Sequence, residues 1–276
     1  LDDFNLWNQV MDKSIRPIYP GARVIGRAVT FIANEVTEVP EKPFAKLIEL
    51  IDSHIHLDDA RFDSDRDQLL QMAQLAGVRQ FIVPAVSSEK FTQVNELALS
   101  QDAVVHTLGL HPYYIAEHAG EDLEKLAELV PKSGVVGIGE CGLDYHLKDL
   151  DRDKQLLVFE AQVVLAKHFS LPLILHVRGA VAAVFEVLKK HDYFNAVMHS
   201  FNGSAEQARQ ITDAGVYLGF GPAVCNPQAR KLQTMVQTVP LERIMLETDG
   251  PDQPFYDRYG KRNLPIDLLR VNEELA

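Results

Sequence analysis

Two histidines separated by one residue follow an apolar run near position 50. His54 and His56 lie in the segment Ile51-Asp-Ser-His-Ile-His-Leu-Asp58. Side chains two positions apart along a strand point to the same face, so the two imidazoles are expected to lie side by side. Paired imidazoles suit zinc, manganese or iron. The pair alone is weak evidence for a metal site, because the chain has 10 histidines and chance pairs are not rare.

Metal-ligand residue types recur at the ends of four later apolar runs. Any one of them by itself reads as a buried histidine or a solvated acid. That explanation does not account for imidazoles and carboxylates after five separate runs, which in a barrel would all reach one rim. The sequence therefore predicts a metal centre with six ligands: His54, His56, Glu140, His176, His199 and Asp249.

Six ligands exceed what one tetrahedral ion needs, which indicates two divalent cations of zinc, magnesium or manganese. A carboxylate such as Glu140 can bridge two cations ~3.5–4 Å apart, the spacing used in phosphoester hydrolysis. Such ions lower the pKa of water from 15.7 towards ~7, so hydroxide is available at neutral pH without a serine or cysteine nucleophile. Glu140 and Asp249 are the predicted catalytic residues, with Asp249 orienting the water or taking its proton.

Three further residues follow predicted strands and are candidates for substrate binding. His111 lies in Gly109-Leu-His-Pro112, Arg178 is two residues beyond the predicted ligand His176, and Asn263 follows Lys261-Arg262. A guanidinium can hold a phosphate oxygen pair in a bidentate manner. The alternative is that Arg178 pairs with an acid and that the loop cations are solvated. Two acids, Asp58 and Asp144, are expected to orient ligands.

Short β-branched runs alternate with amphipathic stretches from about residue 49. Eight strands separated by helices predict an α/β fold, a closed (β/α)₈ TIM barrel of the metal-dependent hydrolase type, rather than a doubly wound open sheet. The predicted strands are Ile48–Ile55, Gln80–Val86, Val104–Leu110, Gly134–Glu140, Pro172–Val177, Phe194–His199, Val216–Gly219 and Arg243–Thr248. The predicted helices are Ser64–Ala76, Phe91–Leu99, Asp122–Leu129, Asp151–His168, Ala180–Lys190, Ala205–Ala214, Pro227–Thr238 and Pro265–Ala276.

Two segments divide the chain. Residues 49–276 are predicted to form the barrel, and we expect its last helix, at Pro265–Ala276, to be incomplete or missing because the chain ends at Ala276. Residues 1–48 are predicted to form an N-terminal extension with a strand-like run at Ala22–Ala33 and a linker punctuated by Pro40 and Pro43. This extension is too short to bury a core of its own.

Composition narrows the functional classes. The chain has 276 residues, 46% of them apolar, and a net charge of −12, which disfavours a broad basic groove for nucleic acid. A small site that binds phosphate through metal ions remains compatible with that charge. The two cysteines form no CxxC pair, no apolar run reaches ~18 residues and no signal peptide is evident, which predicts a cytoplasmic protein without a membrane segment. No obligate protein partner is evident.

The ordered motifs of residues 50–276 resemble the TatD-type metal-dependent deoxyribonuclease family. The matching segments are Asp52–Asp58, Gly109–Pro112, Gly139–Tyr145, His176 with Arg178, Met198–Ser204, Leu246–Asp252 and Arg262–Pro265. The resemblance implies a two-metal site bridged by Glu140, with His54, His56 and Asp249 on one ion and His176 and His199 on the other. The implied activity is 3′–5′ exonuclease cleavage of DNA. Residues 21–30 weakly resemble the start of proteins related to the regulator of ribonuclease activity A.

Two other functions remain open on the sequence alone. The same site could hydrolyse an aminoacyl ester or amide, including the ester of a D-aminoacyl-tRNA, because activated water also attacks carbonyl carbon. The other alternative is an inactive, truncated barrel that only binds ligands. The intact ligand positions argue against it, and the short C-terminal end argues for it.

Overall fold

Parallel strands close into a barrel in the computed structural model, which describes residues 23–25, 28–30 and 48–276. Two hydrogen-bonded sheets are joined at one seam by a bridge between Leu108 and Ile138. At the other seam the Ser53 amide donates to the Leu246 carbonyl at 2.9 Å. The strands are β1 Arg23–Ile25, β2 Ala28–Thr30, β3 Ile48–Asp52, β4 Val78–Pro84, β5 Val104–Thr107, β6 Ile138–Asp144, β7 Leu173–Arg178, β8 Ala196–Met198, β9 Tyr217–Phe220 and β10 Ile244–Leu246. The eight strands β3 to β10 confirm the predicted barrel.

A helix follows each barrel strand. In chain order they are α1 Arg66–Leu75, α2 Phe91–Ser100, α3 Gly120–Leu129, α4 Arg152–Phe169, α5 Val181–His191, α6 Ala205–Asp213, α7 Arg230–Val236 and α8 Leu268–Leu275. α8 follows β10 and lies within the last predicted helix, Pro265–Ala276, so a helix is present after each of the eight barrel strands. None of the helices described has both the length and the apolar character needed to cross a bilayer.

Local sequence explains where the longest helix begins and ends. The Asp151 carboxylate accepts hydrogen bonds of 3.0 Å from the amides of Asp153 and Lys154, which caps the exposed donors of the first turn of α4. Ser170 ends the helix in the left-handed conformation, with a φ of 55°. Between these ends, Phe159 and Val163 are buried against the barrel.

The barrel interior is filled by apolar side chains rather than by solvent. Ile82, Ile174, Val197 and Met245 come from four different strands and form a small cluster separate from the larger core between strands and helices. Packing of this kind closes the inside of such barrels, so binding sites form above it, at the carboxyl ends of the strands. The candidate ligands lie at that end.

Strand β6 differs from its predicted bounds. The apolar run at 134–137 precedes the strand, because Gly134 turns with a φ of 67° and Val135 is buried without belonging to the ladder. The strand continues to Asp144, so Glu140 lies within β6 instead of closing it. Gly139 has a φ of 144°, and a Cβ there would overlap the Ile174 carbonyl oxygen. Glycine therefore allows β6 to approach β7 beside Glu140.

Part of the predicted N-terminal extension is described. β1 and β2 pair antiparallel, and β2 pairs antiparallel with β3, with Val29 opposite Glu49. The strand-like run predicted at Ala22–Ala33 thus contains two short strands. The rest of the extension, including the linker at Pro40 and Pro43, lies outside the described residues.

His106, which is not one of the six predicted ligands, gives the stability of the fold a pH dependence. Burial lowers the pKa of His106 in β5 to about 4, below the 6.5 of an unfolded chain, and its Nε2 has no hydrogen-bond partner among the residues that the structure describes. The unfolded chain therefore binds the proton more tightly between these values, and stability falls as the pH falls from 6.5 to 4. Urea unfolding at pH 7 and at pH 4 gives, for each protein, the free energy of unfolding that is lost on acidification. We expect this loss to be roughly 3 kcal/mol smaller in His106→Gln than in the parent. An equal loss in the variant and in the parent would contradict the role of His106.

Candidate metal centre

The six predicted ligands lie together at the carboxyl end of the barrel. His54 and His56 follow β3, Glu140 lies in β6, His176 lies in β7, and the other two follow β8 and β10. The spatial convergence expected from the strand ends is therefore present. Histidine nitrogens lie close to both carboxylates. His54 Nε2 is 3.2 Å from Glu140 Oε2, His199 Nε2 is 2.9 Å from Glu140 Oε1, and His56 Nε2 is 3.5 Å from Asp249 Oδ1.

Glu140 is the centre of the cluster. Its side chain is 2% exposed, and its two oxygens face different groups of imidazoles. Oε1 lies 3.0 Å from His111 Nε2 and 3.1 Å from His176 Nδ1, in addition to the His199 contact. Oε2 lies 3.6 Å from His56 Nε2, in addition to the His54 contact. A carboxylate in this position can contact two cations, one through each oxygen.

The donor set fits divalent cations. Three groups of three donor atoms lie within 4.8 Å of one another: His54, Glu140 and His199; His54, His56 and Asp249; and His111, Glu140 and His176. In the described part of the chain, no lysine or arginine forms an ion pair with either site carboxylate. Buried carboxylates without a fixed cation, surrounded by imidazoles, are the arrangement that a transition-type divalent metal satisfies.

The carboxylates of the centre are ionised. Burial raises the pKa of Asp249, but the hydrogen bond with His56 and the charges of His54 and His199 outweigh it and bring the pKa to about 2. Burial likewise opposes ionisation of Glu140, but neighbouring histidines, His111 and His199 foremost, hold its pKa well below the ordinary value. A cation bound here would take the place of protons on the histidines, so its binding would release protons.

Carboxylates also lie behind two of the histidines. His176 Nε2 is 3.1 Å from Asp144 Oδ2, which leaves Nδ1 facing Glu140. His199 Nδ1 is 3.6 Å from Glu247 Oε1, which accepts a hydrogen bond of 2.6 Å from the Ser200 amide. Carboxylates in this position fix the orientation of metal-binding histidines. Asp144 thus has the position expected for an orienting acid.

Sequence reasoning missed Glu247, which lies behind His199. Glu247 is fully buried beside Gly219, where a Cβ would overlap its Oε2. The signal that could have found it is an acid inside the apolar run Ile244-Met-Leu-Glu-Thr, since a buried carboxylate needs a polar partner. Asp58 touches no predicted ligand among the described residues and lies 3.9 Å from Lys90 Nζ.

The three predicted substrate contacts have different positions. Arg178 is 60% exposed on the wall of the cavity above the centre and lies 3.8 Å from Asp144, a position compatible with the predicted phosphate contact and with the alternative of pairing with an acid. His111 lines the same cavity and also contacts Glu140. The prediction for Asn263 needs correction, because this side chain is 1% exposed and is absent from the cavity wall. Its amide donates to the Thr248 carbonyl at 2.5 Å and so holds the backbone before Asp249.

Of the two cations in the loop, Lys261 and Arg262, the second forms an ion pair. Arg262 pairs with Asp65 and donates to the Arg61 carbonyl, so it is held by protein groups instead of being solvated as the alternative expected. The cavity itself is larger than the ~300–1,000 Å³ of small-molecule pockets, at about 1350 Å³. Tyr113, Lys90 and Arg178 line it together with the candidate ligands.

Comparisons with known proteins agree with this site. The family model described as TatD related DNase matches residues 51–276. The chain is 36% identical over 228 residues to an uncharacterized metal-dependent hydrolase of Escherichia coli, YjjV, covering 82% of this chain and 88% of that protein. It is 31% identical over 235 residues to the 3′-5′ ssDNA/RNA exonuclease TatD of Erwinia tasmaniensis, covering 82% and 91%.

Solved structures show the same fold. The crystal structure of YjjV from Escherichia coli matches with a TM-score of 0.79 at 36% identity, covering 82% of this chain and 88% of that one. A TatD family hydrolase from Entamoeba histolytica matches with a TM-score of 0.73 at 24% identity, covering 82% and 90%. Both matches cover the barrel and confirm its architecture.

Proposed function

Because this chain belongs to the TatD related DNase family of metal-dependent hydrolases, we propose that it removes nucleotides from the 3′ ends of DNA as a two-metal 3′–5′ exonuclease. The observation that carries the proposal is the buried Glu140, whose two oxygens face different imidazole groups. The relative named as a 3′-5′ ssDNA/RNA exonuclease supports the choice of substrate class.

The donor atoms around Glu140 would hold two ions. We assign His54, His56 and Asp249 to one ion and His176 and His199 to the other, in each case with Glu140. Divalent ions there would lower the pKa of water and offset the charge of the phosphodiester. The imidazole-rich set favours zinc or manganese, and magnesium fits the carboxylates.

Protein side chains supply the remaining steps of the proposed reaction. Asp249 is ionised and its Oδ2 accepts a hydrogen bond of 2.6 Å from Gln253 Nε2, which leaves the carboxylate oriented to accept the proton of the attacking water. The exposed guanidinium of Arg178 lies on the cavity wall, where it can hold a phosphate oxygen of the chain end. A site that binds one end through few phosphates is compatible with a net charge of −12.

We assign this activity to residues 49–276, with residues 1–48 as an extension outside the catalytic unit. The two free, buried cysteines, Cys141 and Cys225, are consistent with action in the reducing cytoplasm. The proposed partner is therefore the end of a DNA strand.

Labelled single-stranded DNA tests the proposal directly. With a 5′ label and Mg²⁺ or Mn²⁺, we expect a ladder of products shortened from the 3′ end, and EDTA should prevent it. A duplicate substrate with a phosphorothioate at the last 3′ linkage should be degraded more slowly. The proposal is wrong if metal-loaded protein leaves DNA intact and hydrolyses an ester or amide panel that includes a D-aminoacyl ester.

A further inference from the structure

His111 differs from the other histidines around Glu140 in what its second ring nitrogen contacts. Nδ1 accepts a hydrogen bond of 2.9 Å from the backbone amide of Tyr113 and so caps the short helix Pro112–Tyr114. Nε2 points the other way, 3.0 Å from Glu140 Oε1. The backbone position of His111 is fixed as well, since His118 Nε2 lies 3.0 Å from its carbonyl oxygen.

These contacts determine which nitrogen of His111 carries the proton. A backbone amide is only a donor, so the Nδ1 that accepts from Tyr113 holds a lone pair and no hydrogen. A neutral imidazole then has its single proton on Nε2. His111 Nε2–H is therefore a donor directed at Glu140 Oε1, a carboxylate oxygen that can only accept.

His176 also faces Glu140 Oε1, but with a ring nitrogen that carries a lone pair instead of a proton. Its Nε2 lies 3.1 Å from Asp144 Oδ2, and a carboxylate behind the ring holds the proton on that nitrogen. Its Nδ1 therefore presents a lone pair to the centre, 3.1 Å from Glu140 Oε1. Distance alone groups His111 with His176 and Glu140 as three possible ligands, but of the two imidazoles only that of His176 offers a lone pair to the centre.

We propose that His111 is a catalytic hydrogen-bond donor and not a metal ligand. Its Nε2–H donates to a non-bridging oxygen of the scissile phosphodiester, which replaces Glu140 Oε1 as the acceptor. No covalent bond or proton transfer is involved. The side chain lines the cavity and is 11% exposed, so a phosphoryl oxygen can reach it. A fixed donor aimed at oxygen charge that grows in the transition state accelerates the reaction. The substrate class rests on the proposed exonuclease function.

Two substitutions separate the two nitrogens of His111. In His111→Asn the side-chain oxygen takes the place of Nδ1 and can still accept from the Tyr113 amide, but nothing replaces the Nε2–H. In His111→Gln the side-chain amide reaches the place of Nε2 and can donate, but the acceptor for the Tyr113 amide is lost. Both variants are compared with the parent for kcat on a chromogenic phosphodiester, for zinc affinity by calorimetry and for thermal unfolding.

The proposal expects kcat to fall ~10²–10³-fold in His111→Asn and distinctly less in His111→Gln, with zinc stoichiometry and affinity unchanged in both. If His111→Asn keeps its activity and His111→Gln does not, the residue only caps a helix and the proposal is overturned. Loss of a zinc equivalent in both variants would overturn it in favour of a ligand role.

A spectroscopic measurement decides the polarity independently of any activity. In zinc-loaded protein with ¹⁵N-labelled histidine, we expect a protonated shift on His111 Nε2 and an unprotonated shift on Nδ1, assigned by comparison with His111→Asn. The reverse pattern would overturn the proposal even if DNA is cleaved. If the parent cleaves no phosphodiester but the pattern holds, the exonuclease function fails while the exclusion of His111 as a ligand stands.

Discussion

Glu140→Gln should abolish hydrolysis in a protein that remains folded. The amide has nearly the volume of the carboxylate and keeps one acceptor oxygen, but it lacks the charge and the second metal-binding oxygen. Since Glu140 contacts imidazoles of both groups, one substitution affects both proposed ions. We expect a loss of kcat greater than the ~10²–10³-fold that removal of a single transition-state donor causes.

The measurement is cleavage of 5′-labelled DNA at saturating Mn²⁺, together with metal content after dialysis. Glu206→Gln is the matched control, because Glu206 is an exposed acid on α6 that is absent from the cavity wall. The control should retain parental activity and metal content. If Glu140→Gln binds two equivalents of metal and turns over at the parental rate, the bridging assignment is wrong.

Removal of metal should lower the thermal stability of the protein by a large amount. A ligand that binds only the folded state at 100–1,000 times its dissociation constant stabilises it by ~2.7–4.1 kcal/mol. For a domain of about 150–250 residues each kcal/mol corresponds to ~2–4 °C, so saturation of one tight site should raise Tm by roughly 5–15 °C. The physical cause is that the cation binds only the folded state, in which the ionised, buried carboxylates Glu140 and Asp249 are brought together with the histidines.

Thermal unfolding of EDTA-treated protein, before and after addition of Zn²⁺ or Mn²⁺, measures this effect. Glu140→Gln should show little of the increase, since it lacks the shared ligand. Glu206→Gln should show all of it. A parent protein whose Tm is the same with and without metal would contradict the metal centre, whatever its activity.

Much of the fold was predictable because barrel strands have a strong local pattern. Apolar, β-branched runs bounded by amphipathic helices occur eight times, and residues 48–276 of the structure have eight barrel strands and eight α-helices. The error at β6 arose because hydrophobicity reports burial and not ladder pairing. Val135 is buried before the strand begins, and the strand continues through Cys141 and Gly142, which pair with β7.

The sequence by itself determined which residue types reach the rim, because the ligand-type residues stand at or near the carboxyl ends of apolar strands and those ends meet at one rim of a barrel. His54, Glu140 and Asp249 could be named for that reason. Only the tertiary structure decided what stands behind each of them. Glu247 behind His199, and the Tyr113 amide behind His111, are contacts that folding creates. A histidine binds metal or donates a proton according to the partner of its second nitrogen, and strand position carries no information about that partner.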